Sequence, residues 1–256
     1  MVLDGYAVSI ISWNIIDFGR TKDDQEIEFI ASIVRDFDII AIQEVVAHDP
    51  AGAQAVARLA DQLNRMGASW DYVISDPTDS PSSQISERYA YIWQTNKVSL
   101  SYEPMLVDKL SGLCDREPYY ARFTRDDKDY DILNFHARPH DRDPQSEVQA
   151  LSNFIIDNQI RFNWILLGDF NITEEDEVWE ALYAESFRPS LSHQKTTLKR
   201  ACDEGLYLNV PIDNIYFSED KNTVQQSAAI DFVERCENLS EMREISDHLP
   251  VSINLD

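Results

Sequence analysis

Trp164-Ile-Leu-Leu-Gly-Asp-Phe-Asn171 is the stretch from which the rest of the chain can be read. Trp164 to Leu167 is a short, β-rich apolar run cut off by Gly168, which predicts a buried strand. That strand hands over to Asp169 and Asn171. One residue apart on extended chain, the two side chains would leave on the same face, a carboxylate beside a carboxamide at the open edge of a sheet. Such a pair suits metal-activated attack on a phosphate ester. The carboxylate can hold a hard cation or a water, and the amide can donate to a phosphoryl oxygen. The same residues also describe an ordinary turn after a strand, so the choice between the two rests on the rest of the chain.

Other apolar runs end in the same way. Residues 8–13 deliver Asn14, and residues 38–43 present Glu44. Between them Ile27, Ile30, Ile33, Val34 and Phe37 fall at helical spacing, which predicts a helix over 24–35. Pro50 opens a second helix with Val56, Leu59, Leu63 and Met66 on one face, and Gly67 closes it. From 70 to 136 the pattern becomes successive strands, at 70–75, 87–94, 98–102, 119–124 and 130–136. Asn96-Lys97 and Asp126-Asp127-Lys128 supply the expected hairpin turns. Asp143-Pro144 reads as cap plus first helical residue, ahead of Val148, Leu151 and Ile155. Beyond the central strand come an acidic helix from Thr173, a poorly patterned stretch over 187–208, a strand over 212–217 and a last strand over 249–253. Strands grouped in two halves with helices between them predict α/β stacked sheets covered by helices.

No linker, repeat or low-complexity run divides the 256 residues, so a single domain over 1–256 is expected. A hydrophobic content of 43% supplies a sizeable core and excludes disorder. No segment approaches ~18 consecutive apolar residues, so no membrane span is expected. The start, Met1-Val-Leu-Asp-Gly5, lacks the basic and apolar regions of a signal peptide. The corresponding expectation is a cytoplasmic monomer, or a secreted one if a signal precedes this stretch. Cys114, Cys202 and Cys236 are an odd number without Cys-x-x-Cys spacing, which favours free buried thiols over a disulfide or zinc site. The formal net charge is -24, which excludes a broad basic nucleic-acid footprint. With 28 Asp against 18 Glu and only 7 Lys, that charge suits either a solvated surface or a chain adapted to high salt, where self-repulsion is screened.

Ionisable and amide groups recur at the ends of the apolar strands: Asn14, Glu44, His136, Asp169, Asn171 and Asp213, with Asp247-His248 just before the last strand. Any one of these is an ordinary cap or turn residue. Together, two imidazoles, four carboxylates and two amides form a chemically complete set for metal-assisted phosphodiester hydrolysis, with ligands, general acid and base, and donors to phosphate.

At this point the chain resembles the endonuclease/exonuclease/phosphatase superfamily, and within it the deoxyribonuclease I branch. The matches run in family order through Trp13-Asn14-Ile15, Ile42-Gln-Glu-Val45, Glu87-Arg-Tyr89, Asn96-Lys-Val98, Arg116-Glu-Pro118, Phe135-His136, Gly168-Asp-Phe-Asn171, Asp213-Asn-Ile215 and Ile245-Ser-Asp-His-Leu-Pro-Val251. The resemblance implies a four-layer sandwich, two mixed sheets face to face with helices outside. It implies that Glu44 holds the catalytic divalent cation with Asn14 and Asp247 nearby. That cation would be magnesium, with manganese as a substitute and calcium as a structural or accessory ion. Glu87 would hydrogen-bond His136 and Asp213 would hydrogen-bond His248, fixing each tautomer. Asp169 would orient or deprotonate the attacking water, Asn171 would grip the scissile phosphate, and Arg116 would place positive charge near it. A surface Arg116 paired with Glu117 or Asp115 is the competing expectation.

The implied substrate is DNA, cleaved with low sequence specificity. The alternative is a sugar, inositol or lipid phosphate, because the residues with which deoxyribonuclease I grips the minor groove are replaced here by Ile16, Val46 and Ile85. The disulfide that follows the Gly-Asp-Phe-Asn motif in that branch is also missing, its second position being Val210. Its loss fits a reducing compartment or a lineage that never used the bridge.

Overall fold

Alternation along the first strand sets the layering: Ile10 faces a core shared by two sheets, Ile11 faces a helical layer, and both are fully buried. Ile39 and Ile40 on the second strand repeat the pattern, as do Ile165 and Leu166 on the central one. Strands buried on both faces read as continuous apolar runs, which is why these three were legible as strands.

A computed structural model describes residues 8–256, and the residue 1–5 start considered above lies outside them. The chain runs β1 (Val8–Phe18), α1 (Asp24–Val34), β2 (Ile39–Val46), α2 (Ala51–Arg65), β3 (Trp70–Ile74) and β4 (Glu87–Gln94). It continues with β5 (Ser99–Leu100), β6 (Met105–Leu106), β7 (Tyr119–Arg125), β8 (Lys128–His136), α3 (Pro144–Asn158) and β9 (Trp164–Asp169). The last part holds α4 (Glu180–Ala184), β10 (Phe187–Pro189), β11 (Leu198–Asp203), β12 (Leu206–Leu208), β13 (Asp213–Ser218), β14 (Val224–Ala229), α5 (Leu239–Ile245) and β15 (Val251–Leu255).

One sheet has the order β14-β15-β1-β2-β4-β3 and the other β10-β13-β9-β8-β7-β5, with β6 on β7. Both are mixed: β1 and β2 run parallel across α1, β8 and β9 parallel across α3, and their other neighbours are antiparallel. Tyr89, Tyr91, Tyr119, Phe123, Ile165, Ile215 and Ile253 fill the layer between the sheets. Residues of α1, α2 and α5 cover the outside of the first sheet, and α3 and α4 cover the second. This is the α/β/β/α sandwich. Among the described residues no helix is long and apolar enough to cross a membrane.

Several local expectations need correction. Asn96-Lys97 does not close a hairpin, because β4 and β5 belong to different sheets and the turn carries the chain across the sandwich. Asp126 and Asp127 do close one, β7 to β8, with φ of 50° and 63°, the left-handed pair that a tight hairpin requires. Asp143 makes no side-chain cap and lies at φ 59°. The capping box sits at α1, where Asp23 and Glu26 bond each other's backbone N–H. The helix expected from Thr173 is reduced to turns, a 3-10 segment over Glu177–Trp179 and the five-residue α4. The unpatterned stretch forms the three short strands β10 to β12. Cys202 and Cys236 are disulfide-bonded across 34 residues, leaving Cys114 as the free, buried thiol. The odd count hid a pair plus one.

Candidate active site

Register brings the singled-out residues into one row. In β8 and β9 His136 is the cross-strand partner of Asp169, and in β9 and β13 Asp169 is the partner of Asp213. Parallel strands approach this edge and antiparallel ones begin there, so Asn14 and Glu44 come from the C-terminal halves of β1 and β2, β1 running on past the expected end at residue 13 to Phe18, and Glu87 from the start of β4. His248 enters just before β15. Gly168 makes the approach possible. Its φ is +136° and a Cβ there would lie 1.8 Å from the Phe135 carbonyl oxygen, so no other residue lets β9 close on β8 at this point.

The row carries an alternation of acid and imidazole. His136 Nδ1 lies 3.0 Å from both oxygens of Glu87, and His248 Nδ1 lies 2.9 and 3.0 Å from those of Asp213. Each Nδ1 is thereby fixed as the N–H, and each Nε2 is left for chemistry. Both Nε2 atoms turn to the same oxygen, Asp169 Oδ2, at 3.5 Å from His136 and 3.7 Å from His248. Burial pushes the His248 imidazole down, but Asp213 and Asp169 outweigh it and hold the pKa up at about 10. For His136 burial and the Arg116 charge act downward, and Glu87 and Asp169 prevail, so the net shift is also upward. Burial raises Asp213 to about 6 against the opposing charge of His248. At neutral pH the His248–Asp213 pair is therefore an imidazolium on a carboxylate.

Asn14 Nδ2 donates to Asp169 Oδ2 at 3.2 Å, while Asn14 Oδ1 is buried with no donor. A buried amide oxygen without a donor next to carboxylates is suited to a cation. Glu44 sits where register slips on both sides of β2, between Asn14 and Phe18 on β1 and between Ile42 and Val45 on the β4 side. Its φ is 61°, a strained left-handed conformation that re-aims the side chain out of the sheet. Asp247 stands 4.0 Å from His248 Nε2 and 3.6 Å from Arg243. Asn14, Glu44 and Asp247 each carry an oxygen of the kind a hard cation takes. Among the described residues Asp169, Asp213 and His248 also present ligand atoms within 4.8 Å of one another.

Arg116 is not at the surface and pairs with neither Glu117 nor Asp115. It is 8% exposed, its Nε lies 3.2 Å from Glu87 Oε2, and Nη1 donates to the carbonyls of His136 and Ala137 at 3.3 and 3.2 Å. Asn171 does not leave an extended chain on the same face as Asp169. At φ 53° it turns back, its backbone N–H donating to Asp169 Oδ1 at 2.9 Å and its amide to the Ala137 carbonyl at 3.0 Å. Residue reading missed Thr196. Its hydroxyl donates to Asp213 Oδ2 at 2.7 Å and accepts the N–H groups of Ile212 and Asp213 at 3.2 and 3.1 Å.

A hollow of about 260 Å³ opens beside the row, lined by Glu44, Val46, Ile85, Glu87, Arg116 and His136 among others. On the other side of the row Asn171, Ile172, Val210 and Ile212 line an apolar hollow of about 420 Å³.

The sandwich and its row of acid-backed imidazoles define a phosphoester hydrolase class, and the comparisons agree. The model of the endonuclease/exonuclease/phosphatase family matches residues 11–248, and the chain belongs to that family. No curated protein matches it. Among solved structures it resembles a family protein from Leptotrichia buccalis C-1013-b at TM-score 0.68 and 14% identity, covering 97% of this chain and 99% of the other. It also resembles a mannosyl-6-phosphatase of Bacteroides thetaiotaomicron VPI-5482, at 0.66 and 16%, over 97% and 99%. A third neighbour is D. rerio TDP2 complexed with a single-strand DNA product, at 0.65 and 15%, over 97% and 98%. At these identities the likeness is one of fold.

Proposed function

We infer that this chain is a divalent-metal-dependent phosphoesterase in which Asp169 delivers a water to phosphorus between two acid-backed imidazoles. The observation that carries the reading is the convergence of both Nε2 atoms on Asp169 Oδ2. Asp169 takes a proton from the water as its oxygen bonds to phosphorus. His248, protonated at neutral pH, gives its Nε2 proton to the leaving oxygen as the phosphorus–oxygen bond breaks. The proton on Asp169 then returns to His248 across 3.7 Å, which restores the starting state. His136, fixed by Glu87 and Arg116, and Asn171 bind the phosphoryl oxygens. Asn14, Glu44 and Asp247 would hold magnesium or manganese, whose chemistry is to polarise a phosphoryl oxygen and offset its charge.

The deoxyribonuclease-branch motifs favour a DNA phosphodiester as substrate. A second reading, hydrolysis of a compact phosphoester such as a sugar phosphate, is favoured by the arrangement of the cations. Near the row Arg116 and Arg138 are bound to Glu87, Glu147 and Asp115, Arg20 lies 4.0 Å from Asp49, and Arg88 bonds the Ser75 carbonyl. Little is left to track a duplex. Val46 and Ile85, which stand at the groove-gripping positions, line the 260 Å³ hollow with apolar surface. Supercoiled plasmid and a panel of phosphomonoesters, each incubated with protein and magnesium, separate the two. His248→Ala should lose ~10²–10⁴-fold on whichever is turned over. Near wild-type turnover by that variant would remove the mechanism.

A further inference from the structure

Glu147 touches neither hollow, yet two segments of the active site hang from its side chain. It sits in the first turn of α3, fully buried. Its Oε1 accepts the N–H of Asp115 at 2.5 Å and its Oε2 the N–H of Arg138 at 2.6 Å. Arg138 Nε lies 2.9 Å from Oε1 as an ion pair, though its N–H is not aligned for a hydrogen bond. Arg138 also reaches Asp115 Oδ1 at 3.1 Å, which closes the ring.

The two backbone groups flank the machinery on both sides. Asp115 precedes Arg116, the residue that clamps Glu87 and so His136. Arg138 follows Ala137, whose carbonyl receives both Arg116 Nη1 and the Asn171 amide. One carboxylate therefore joins the Arg116 loop to the end of β8, where His136 and the Asn171 acceptor lie. The helix N-terminus and the Arg138 guanidinium stabilise its charge. A neutral amide of the same shape cannot replace it, because the amide nitrogen would point a donor at one of the two N–H donors.

We propose that Glu147 is a positioning residue for the reaction, setting the distance of Arg116 and Ala137 from Glu87, His136 and Asn171. This rests on the phosphoesterase reading above. A misplacement of about 1 Å around a reacting group can cost on the order of 10²-fold, so Glu147→Gln should lower kcat by about 10- to 100-fold. The magnesium titration should change little, since Glu44 and Asn14 lie on other strands.

The decisive test is a cycle with Arg116→Ala. Acting through Arg116, Glu147→Gln should lower kcat much less in the Arg116→Ala background than in the wild type. An equal loss in both backgrounds would reduce Glu147 to a structural acid and overturn the proposal. Glu147→Asp serves if the amide variant does not fold. It keeps the charge, is one methylene too short to hold both N–H groups, and is expected to show the same loss and the same non-additivity. Full kcat in Glu147→Asp would overturn it equally. A measurement without substrate separates this proposal from the function on which it rests. The Nδ1 proton of His136 on Glu87 and that of His248 on Asp213 give separate imidazole NMR signals. Glu147→Gln should move the His136 signal and leave that of His248 in place. If both move together, or neither does, the proposal fails whatever the enzyme hydrolyses.

Discussion

The imidazole of His248 is enclosed by Asp213 and Asp169, and its proton affinity belongs to that enclosure. In metal-free protein its pKa stands at about 10, against 6.5 for the unconstrained group. Folded protein holds this proton more tightly than unfolded protein, so the stabilisation is complete below pH 6.5 and drains away as pH rises toward 10. Asp213 acts in a lower window. Raised from 3.8 to about 6, it costs stability as pH climbs between those values and adds no further change above them. Thermal unfolding in chelator should therefore show Tm falling from pH 6.5 to 10, with a shallower fall in His248→Gln. Parallel curves for the two proteins would remove His248 from the account. Thr196→Val keeps the shape and deletes the hydroxyl that Asp213 leans on. Outer-shell partners of this kind are worth about 10- to 100-fold in activity, and a loss near the lower figure is expected in kcat with wild-type magnesium dependence. An unchanged kcat would confine Thr196 to holding the chain. Asp169, His136 and His248 were legible as sequence because ionisable residues recur where apolar strands end or begin, although each alone would pass for an ordinary cap or turn residue. Thr196 was not, because a threonine in an unpatterned stretch signals nothing until the fold sets it against Asp213, 17 residues on.

At the scale of elements, legibility followed burial. β1, β2, β4, β8 and β9 are buried almost throughout, and α1 and α2 carry full apolar stripes, so each had a period to read. β14 is an edge strand, Val-Gln-Gln-Ser-Ala-Ala, half covered at best, and α5 buries only Leu239 and Ile245 in seven residues. Neither offers the periodicity that the core strands do. The β11–β12 hairpin is of the same kind and lies off both main sheets, yet it borders the site. Thr197 bridges to His248, Leu198 N–H donates to the Asp247 carbonyl at 2.8 Å, and Arg243 of α5 donates to the Leu198 carbonyl at 2.9 Å. The Cys202–Cys236 bond ties this hairpin to the turn that opens α5. Closing a loop of this length removes about 3–4 kcal/mol of unfolded-state entropy. Reductant, or the Cys202→Ser and Cys236→Ser pair, should lower stability by about that much. Denaturant unfolding with and without reductant measures it. Coincident midpoints would mean that the hairpin holds without the bond.

For the whole molecule the net charge of -24 meets a site whose nearby arginines are already engaged. Duplex DNA carries about one negative charge per ~1.7 Å of axis, and a protein that neutralises phosphates loses affinity with salt at a slope of roughly -0.9 per phosphate. A basic groove built from Arg20, Arg88, Arg116, Arg138 and Arg142 would have produced that slope here. Arg116 is buried and Arg138 half-buried in ion pairs, Arg88 is bonded to backbone and Arg20 stands at the edge of contact with Asp49, so such a groove has at most a few cations to offer. Long-range repulsion of an anionic substrate then dominates at low ionic strength, and screening over a Debye length of ~8–10 Å relieves it at physiological salt. Turnover at saturating magnesium should accordingly be flat or rise with moderate monovalent salt, for a polyanionic substrate more than for a phosphomonoester. Val46→Arg with Ile85→Tyr puts a cation and an aromatic ring into the hollow beside Glu44 and His136. DNA cleavage by that double variant should rise at low salt and become inhibited as salt is added, while phosphomonoester hydrolysis keeps the wild-type profile. A steep fall of wild-type DNA cleavage between low and physiological salt would show that cations elsewhere on the surface supply the grip, and the case for a chain suited to high salt would lose its physical basis.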